Sequence, residues 1–161
     1  PASQFLPLAD LPSTMAPSSP LGKPTVPSRA HKVYVDCVYT QSAYRIVMEA
    51  TFVELPPFER HRSRYLDDEG LRALQDALLM NPEMGPVIQG TGGLRKLRFV
   101  DARRGKGKRG GLRVIYYWWQ ARKQVWLFTL YDKDQQDELT TRQRAALKVL
   151  LDSEVNMRGY S

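Results

Sequence analysis

Cysteine is almost absent. Cys37 stands alone, so no intramolecular disulfide is available and a reducing compartment, the cytoplasm, is the expected setting. Long apolar runs are missing too: no stretch approaches the roughly 18 residues that a membrane helix needs, and no basic segment leads into an apolar one near the start. Neither secretion nor a membrane partner is expected. Acidic residues are scarce in one place above all. Between Arg95 and Arg113 only Asp101 opposes nine Lys and Arg among nineteen residues, so this segment carries more than the whole excess of +7. The remainder is slightly acidic. Cations spread evenly over a surface mostly serve solubility, whereas cations gathered in one stretch point to a polyanion gripped at one place.

Several kinds of chemistry are excluded by what their motifs lack. Gly105, Gly107 and Gly110 spell GxGxxG, but a dinucleotide fingerprint needs a helix after it and here a strand follows. A kinase-type loop would need catalytic and metal-binding segments downstream, and none is present. Asp132, Asp134 and Asp137 lack the Gly and Glu that a calcium loop requires at its sixth and twelfth positions. The two histidines, His31 and His61, lie in different parts of the chain, and with one cysteine they make no zinc site. No converging carboxylates accompany the basic segment, so metal catalysis is disfavoured and no cofactor is implied. Trp118, Trp119 and Trp126 offer faces for base stacking, but at least one of the adjacent pair is expected in the core.

At 161 residues the chain suits one domain. Residues 1–30 hold seven of the eleven prolines and no periodic apolar pattern, so they read as disordered or extended. His31 to Val47 is more apolar and reads as either a strand or a loosely docked arm. Residues 1–47 are therefore expected to be an extension, an added leader or the product of an alternative start, and 48–161 the functional domain. Within that domain Thr51 to Leu55 predicts a short strand, and Pro56-Pro57 opens a helix whose face carries Phe58, Arg62, Tyr65 and Leu66. Asp67-Asp68 caps a second helix bearing Leu71, Leu74, Leu78 and Leu79, which Asn81-Pro82 stops. Three antiparallel strands follow: Leu94 to Val100, Leu112 to Trp119, and Val125 to Tyr131. Thr140 and Gln143 have capping-box spacing ahead of a last helix with Leu147, Leu150 and Leu151 on one face. The expected class is α+β, an antiparallel sheet packed against an N-terminal helical hairpin with a C-terminal helix.

Alternation puts Lys96 and Arg98 on one face of their strand, and a neighbour carrying Arg113 would extend a concave, exposed cationic surface. Such a surface binds phosphate. RNA brings its own nucleophile, the 2′-hydroxyl, so it can be cut without metal if the backbone is positioned, the phosphorane stabilised and protons managed. Arginine suits the charge, while lysine or tyrosine suits proton transfer, which makes Lys96, Lys133 and Tyr131 candidates. Arg95 and the loop cations Arg103, Arg104, Lys106, Lys108 and Arg109 are candidate RNA contacts. A non-catalytic hold on RNA or on an acidic protein is the alternative.

The run VIQGTGGLRKLR (Val87 to Arg98), the loop GKGKRGG, the strand LRVIYYWW and the strand end LYDK together resemble the HigB branch of the RelE/ParE toxin superfamily, from about Met48 to the last helix. The resemblance implies a small RelE-like fold and a type II toxin-antitoxin toxin. It also implies a ribosome-dependent endoribonuclease, an mRNA interferase that enters the A site and inhibits translation. The implied partners are the ribosome, mRNA and a cognate antitoxin, expected as a HigA-like helix-turn-helix DNA-binding protein. By the same resemblance Lys96 and Arg98 match the paired basic residues of the central strand, Arg113 the arginine on the scissile phosphate, and Lys133 a position where relatives carry arginine. Leu139 stands near where RelE has a catalytic tyrosine, a departure that leaves the proton-transfer group open with Tyr131 as substitute. A ParE-like gyrase poison shares the fold but typically lacks this basic set.

Overall fold

The computed structural model describes residues 29–37, 46–100, 105, 107, 111–136 and 138–159. The candidate loop contacts Arg103, Arg104, Lys106, Lys108 and Arg109 and the Pro-rich stretch 1–28 lie outside them. The described chain is α+β: strands β1 (Arg29–Cys37) and β2 (Ile46–Glu54), helices α1 (Pro56–Tyr65) and α2 (Asp68–Met80), strands β3 (Arg95–Phe99), β4 (Leu112–Trp119) and β5 (Gln124–Asp132), and helix α3 (Thr141–Gly159).

The local signals explain the helix boundaries. Prolines fill the first turn of α1, where an N–H would have no intrahelical acceptor. Asp67 caps α2 by accepting from the Gly70 N–H at 2.7 Å. At the head of α3 the capping box closes in both directions. The Gln143 N–H donates to Thr140 Oγ1 at 3.2 Å, and the Thr140 N–H donates to Gln143 Oε1 at 2.8 Å. Arg62 is not part of an apolar face: it reaches back to the buried Glu54 at 3.4 Å and to Asp68 at 2.9 Å, tying both helices to the end of β2.

The strands form one sheet in the order β1-β2-β5-β4-β3. It is mixed, which corrects the antiparallel expectation. β3, β4 and β5 are antiparallel neighbours as their sequences suggest, but β2 lies parallel to β5, pairing Thr51 to Gln124 through Glu54 to Leu127. The helices and two further strands intervene before the chain returns beside β2, and no local pattern records which neighbour a strand will meet after such a crossover. The stretch 31–47, read as strand or arm, contributes to two strands. β1 pairs β2 from Arg29↔Glu54 to Cys37↔Ile46, so a boundary at Met48 falls inside β2. His31 Nε2 also lies 2.6 Å from Gln75 Nε2 on α2, and its ring stacks near Phe52.

Each face of the sheet has its own core. On one, Phe52, Leu97, Val114, Tyr116, Val125, Leu127 and Leu130 meet Phe58, Leu74 and Leu78 of α1 and α2. On the other, Val53, Ile115, Trp126, Phe128 and Tyr131 meet Leu147 and Leu151 of α3, with Leu139 just ahead of that helix. Trp126 is fully buried here, and the partly buried Trp118 and Trp119 pack against opposite cores, as strand alternation demands. Among the described residues, no helix is long and apolar enough to cross a membrane.

Candidate functional site

β3 reaches its place through a glycine turn. Gly90, Gly92 and Gly93 all have positive φ, which an L side chain resists, and they fold Pro86 to Ile88 back along the outer edge of β3. The Ile88 N–H donates to the Leu94 carbonyl at 2.8 Å, and the Lys96 N–H to the Pro86 carbonyl at 3.0 Å. The loop before it is locked by Tyr116 of β4, whose buried hydroxyl donates to the Pro82 carbonyl at 2.8 Å and accepts from the Gly85 N–H at 3.1 Å. Burial pushes this phenol's pKa above its usual value, outweighing the opposite pull of the Gly85 hydrogen bond. A side chain at Gly85 would lie 3.0 Å from the Lys96 carbonyl, so loop and strand touch backbone to backbone.

Cross-strand register then assembles the cations. Arg98 pairs with Arg113 and Arg113 with Tyr131, so these three form one row across β3, β4 and β5 on the α3 face. Lys96, two residues before Arg98, shares that face one row further on, opposite Ile115. Tyr131 is there because of an irregularity. The register between β4 and β5 shifts after Ile115: Tyr116 pairs with Leu127 but Ile115 with Thr129, leaving Phe128 as an extra residue. Val125 and Leu127 face the helical hairpin while Phe128 and Tyr131 face α3, so this bulge inverts the alternation and carries Tyr131 to the side of Arg113.

The depth of the row corrects the expectation of a wholly exposed surface. Arg98 is exposed, but Arg113 is only 3 % exposed and Tyr131 is fully buried. The hairpin pairing that sets Arg113 between two strands also sinks its stem into the sheet's inner rows. Lys96 is half-buried and ion-paired, its Nζ 2.8 Å from Glu138 Oε1. Lys133 follows β5, its N–H 3.4 Å from the Gly111 carbonyl, at the end of the sheet where the row lies. Arg95 falls on the other face, opposite Tyr116, and is occupied. It donates to the Glu83 and Gly85 carbonyls at 3.0 and 2.9 Å and pairs with the Glu83 carboxylate at 3.0 Å.

Glu138 is the residue that sequence reasoning missed. It is 42 positions from Lys96 and lies in no motif. Its backbone is held from both sides: Gln136 Nε2 donates to the Glu138 carbonyl at 2.8 Å, Gln136 and Gln143 exchange side-chain bonds, and Leu139 is buried beside it. Among the described residues no three His, Cys, Asp or Glu side chains gather as metal ligands. What the row offers is positive charge. The register sets two arginines directly opposite each other, Arg98 and Arg113, which concentrates positive charge at this end of the sheet.

No family model matches the chain. Among solved structures the chain is similar to that of a double mutant of the E. coli toxin RelE in the free state, at 12 % identity, over 53 % of this chain and 85 % of that one, with a TM-score of 0.39.

Proposed function

We propose that the chain is the toxin of a type II toxin-antitoxin pair, an endoribonuclease of RelE type that cuts mRNA in the ribosomal A site. The observation that carries this is the cross-strand row Arg98–Arg113–Tyr131 with Lys96 beside it, cations aligned on one face of a rigid sheet. The motifs from VIQGTGGLRKLR to LYDK support the same reading. In the reaction the 2′-oxygen attacks phosphorus, forming the O2′–P bond as P–O5′ breaks. A base takes the 2′-hydroxyl proton and an acid protonates the departing 5′-oxygen, leaving a cyclic phosphate and a 5′-hydroxyl. Arg98 and Arg113 stabilise the charge that builds on the phosphorane's oxygens. Lys96 and Lys133 manage the protons, and Tyr131, fully buried, stands beside Arg113 in the cross-strand pairing of β4 and β5. The folded domain takes in β1 and the start of β2 as well as 48–161, its activity is held in check by a cognate antitoxin of HigA-like type, and it works in the cytoplasm.

Ribosome dependence belongs to this reading: Lys96 is tied to Glu138 at 2.8 Å, so among the described residues no acid–base pair stands ready beside the row, and the ribosome supplies the arrangement of the substrate. Purified protein is to be incubated with naked mRNA and with mRNA under translation. Discrete cuts only in the second support the proposal. Equal cutting in both would refute the ribosome requirement, and altered DNA supercoiling with intact mRNA would point to gyrase.

A further inference from the structure

The α3 face of the sheet carries a second gathering of cations, far from the row. At the opposite end of β4 and β5, Lys32, Glu49, Ala50, Thr51, Arg122 and Lys123 line an open concavity of about 180 Å³. Register places Lys32 opposite Thr51, and Thr51 shares a face with Val53, which packs under α3. The notch therefore opens on the side of the sheet that holds Arg98 and Arg113. Arg113 and Trp119 are six positions apart on β4, about 20 Å of strand.

Three features of the notch point to an anion. Three cations from two separate segments converge on it against one carboxylate, and neither Lys32 nor Lys123 makes an ion pair among the described residues. Arg122 is fixed, its guanidinium 5.0 Å above the Trp119 ring and 3.3 Å from the Gly159 carbonyl. Lys123 sits at φ 49° and ψ 50°, the left-handed region, where glycine or asparagine is the usual choice. It is the one non-glycine with positive φ among the described residues, and its carbonyl is bound by the Thr51 N–H at 2.9 Å. A lysine where the backbone favours glycine holds its side chain at the notch against that local preference.

We propose that this notch is a second phosphate site, which takes a backbone phosphate of a single-stranded RNA whose other end lies on the Arg98–Arg113–Tyr131 row. It rests on the row being an RNA site. The notch adds screened, sequence-independent attraction and sets the strand's direction alongside α3, which covers the sheet between the two sites.

The test uses the full chain and its Lys32→Gln/Lys123→Gly variant, with inorganic phosphate and a single-stranded RNA of about 12 nucleotides as probes. Phosphate should shift the amide resonances of Thr51 and Lys123 in the wild type and not in the variant. The variant should bind the RNA about tenfold more weakly at low salt, and its log-affinity slope against log salt should be shallower by about 1.4. Lys123→Gly alone should melt no lower than the wild type, since it relieves the left-handed lysine. Absent amide shifts, an RNA affinity equal to wild type, or a Lys123→Gly that melts well below wild type would each overturn the proposal. Phosphate shifts with unchanged RNA affinity would overturn it as well, by showing a free-anion site. If the binding results hold but ribosome-bound mRNA is not cut, the cleavage reading fails and the notch stands.

Discussion

Replacing Tyr116 by Phe removes one oxygen from a fully buried ring and leaves the ring's packing in place. That oxygen serves two partners, the Pro82 carbonyl at 2.8 Å and the Gly85 N–H at 3.1 Å. Gly85 is buried, so its N–H has no water to turn to, whereas Pro82 is only half-buried. One unsatisfied buried donor and one partly resolvated acceptor should cost about 1–3 kcal/mol. The same hydroxyl gives the difference a pH signature. Burial raises the phenol's pKa in the folded protein, so the wild type's advantage is fully present below the unfolded value of about 10 and is lost as pH rises from there through the raised folded value. Urea denaturation of both proteins at pH 7 and at several points above pH 10 measures this, and the stability gap should narrow as the pH climbs. The loop that Tyr116 anchors also holds Arg95 and abuts Lys96, so growth arrest should weaken along with the fold. A gap below about 0.5 kcal/mol at pH 7, or one that stays constant above pH 10, would refute the account of this latch.

Arg113→Ala should both abolish cleavage and lower stability, by about 2–3 kcal/mol in urea melts, because it empties a long side chain from a buried position. Arg98→Ala, on the exposed end of the row, should change stability by no more than about 0.5 kcal/mol. Thr140→Ala removes half of the capping box and should cost about 1 kcal/mol in the same assay, with Glu138 and hence Lys96 less firmly placed. A chain starting at Met48 keeps the β5-paired part of β2 but loses β1 and the His31–Gln75 contact, so its denaturation midpoint should fall relative to a chain starting at Arg29. Equal midpoints would show that β1 adds nothing to the fold.

Much of the architecture is written locally. Pro56-Pro57, Asp67, Asn81-Pro82 and the Thr140/Gln143 pair mark helix ends through their own backbone chemistry, so they are readable without knowing any partner. The alternation of β3 likewise separates Arg95 from Lys96 and Arg98 correctly. Three features depend on contacts distant in sequence and are not readable that way. The parallel seating of β2 on β5 is decided by a crossover, the burial of Arg113 by strands on both sides, and the Lys96–Glu138 pair by a segment 42 residues away. The bulge at Phe128 is a fourth. VWLFTLY reads as plain alternation, and only its pairing with β4 shows that one residue is extra and that Tyr131 therefore turns toward α3.

The central claim is that the Arg98–Arg113 row cuts mRNA on the ribosome. Its most direct test is to map the 5′ ends of an mRNA translated in the presence of the wild type, Arg98→Gln, Arg113→Lys and, as a control on exposed α3, Lys148→Gln, with each protein shown folded by its melting curve. Loss of one donor to the phosphorane should slow cutting by about a hundredfold or more in Arg98→Gln and in Arg113→Lys, where a single ammonium replaces a guanidinium fork, while Lys148→Gln cuts as the wild type does. Wild-type cleavage by folded Arg98→Gln and Arg113→Lys, or no cleavage by the wild type itself, would contradict the claim.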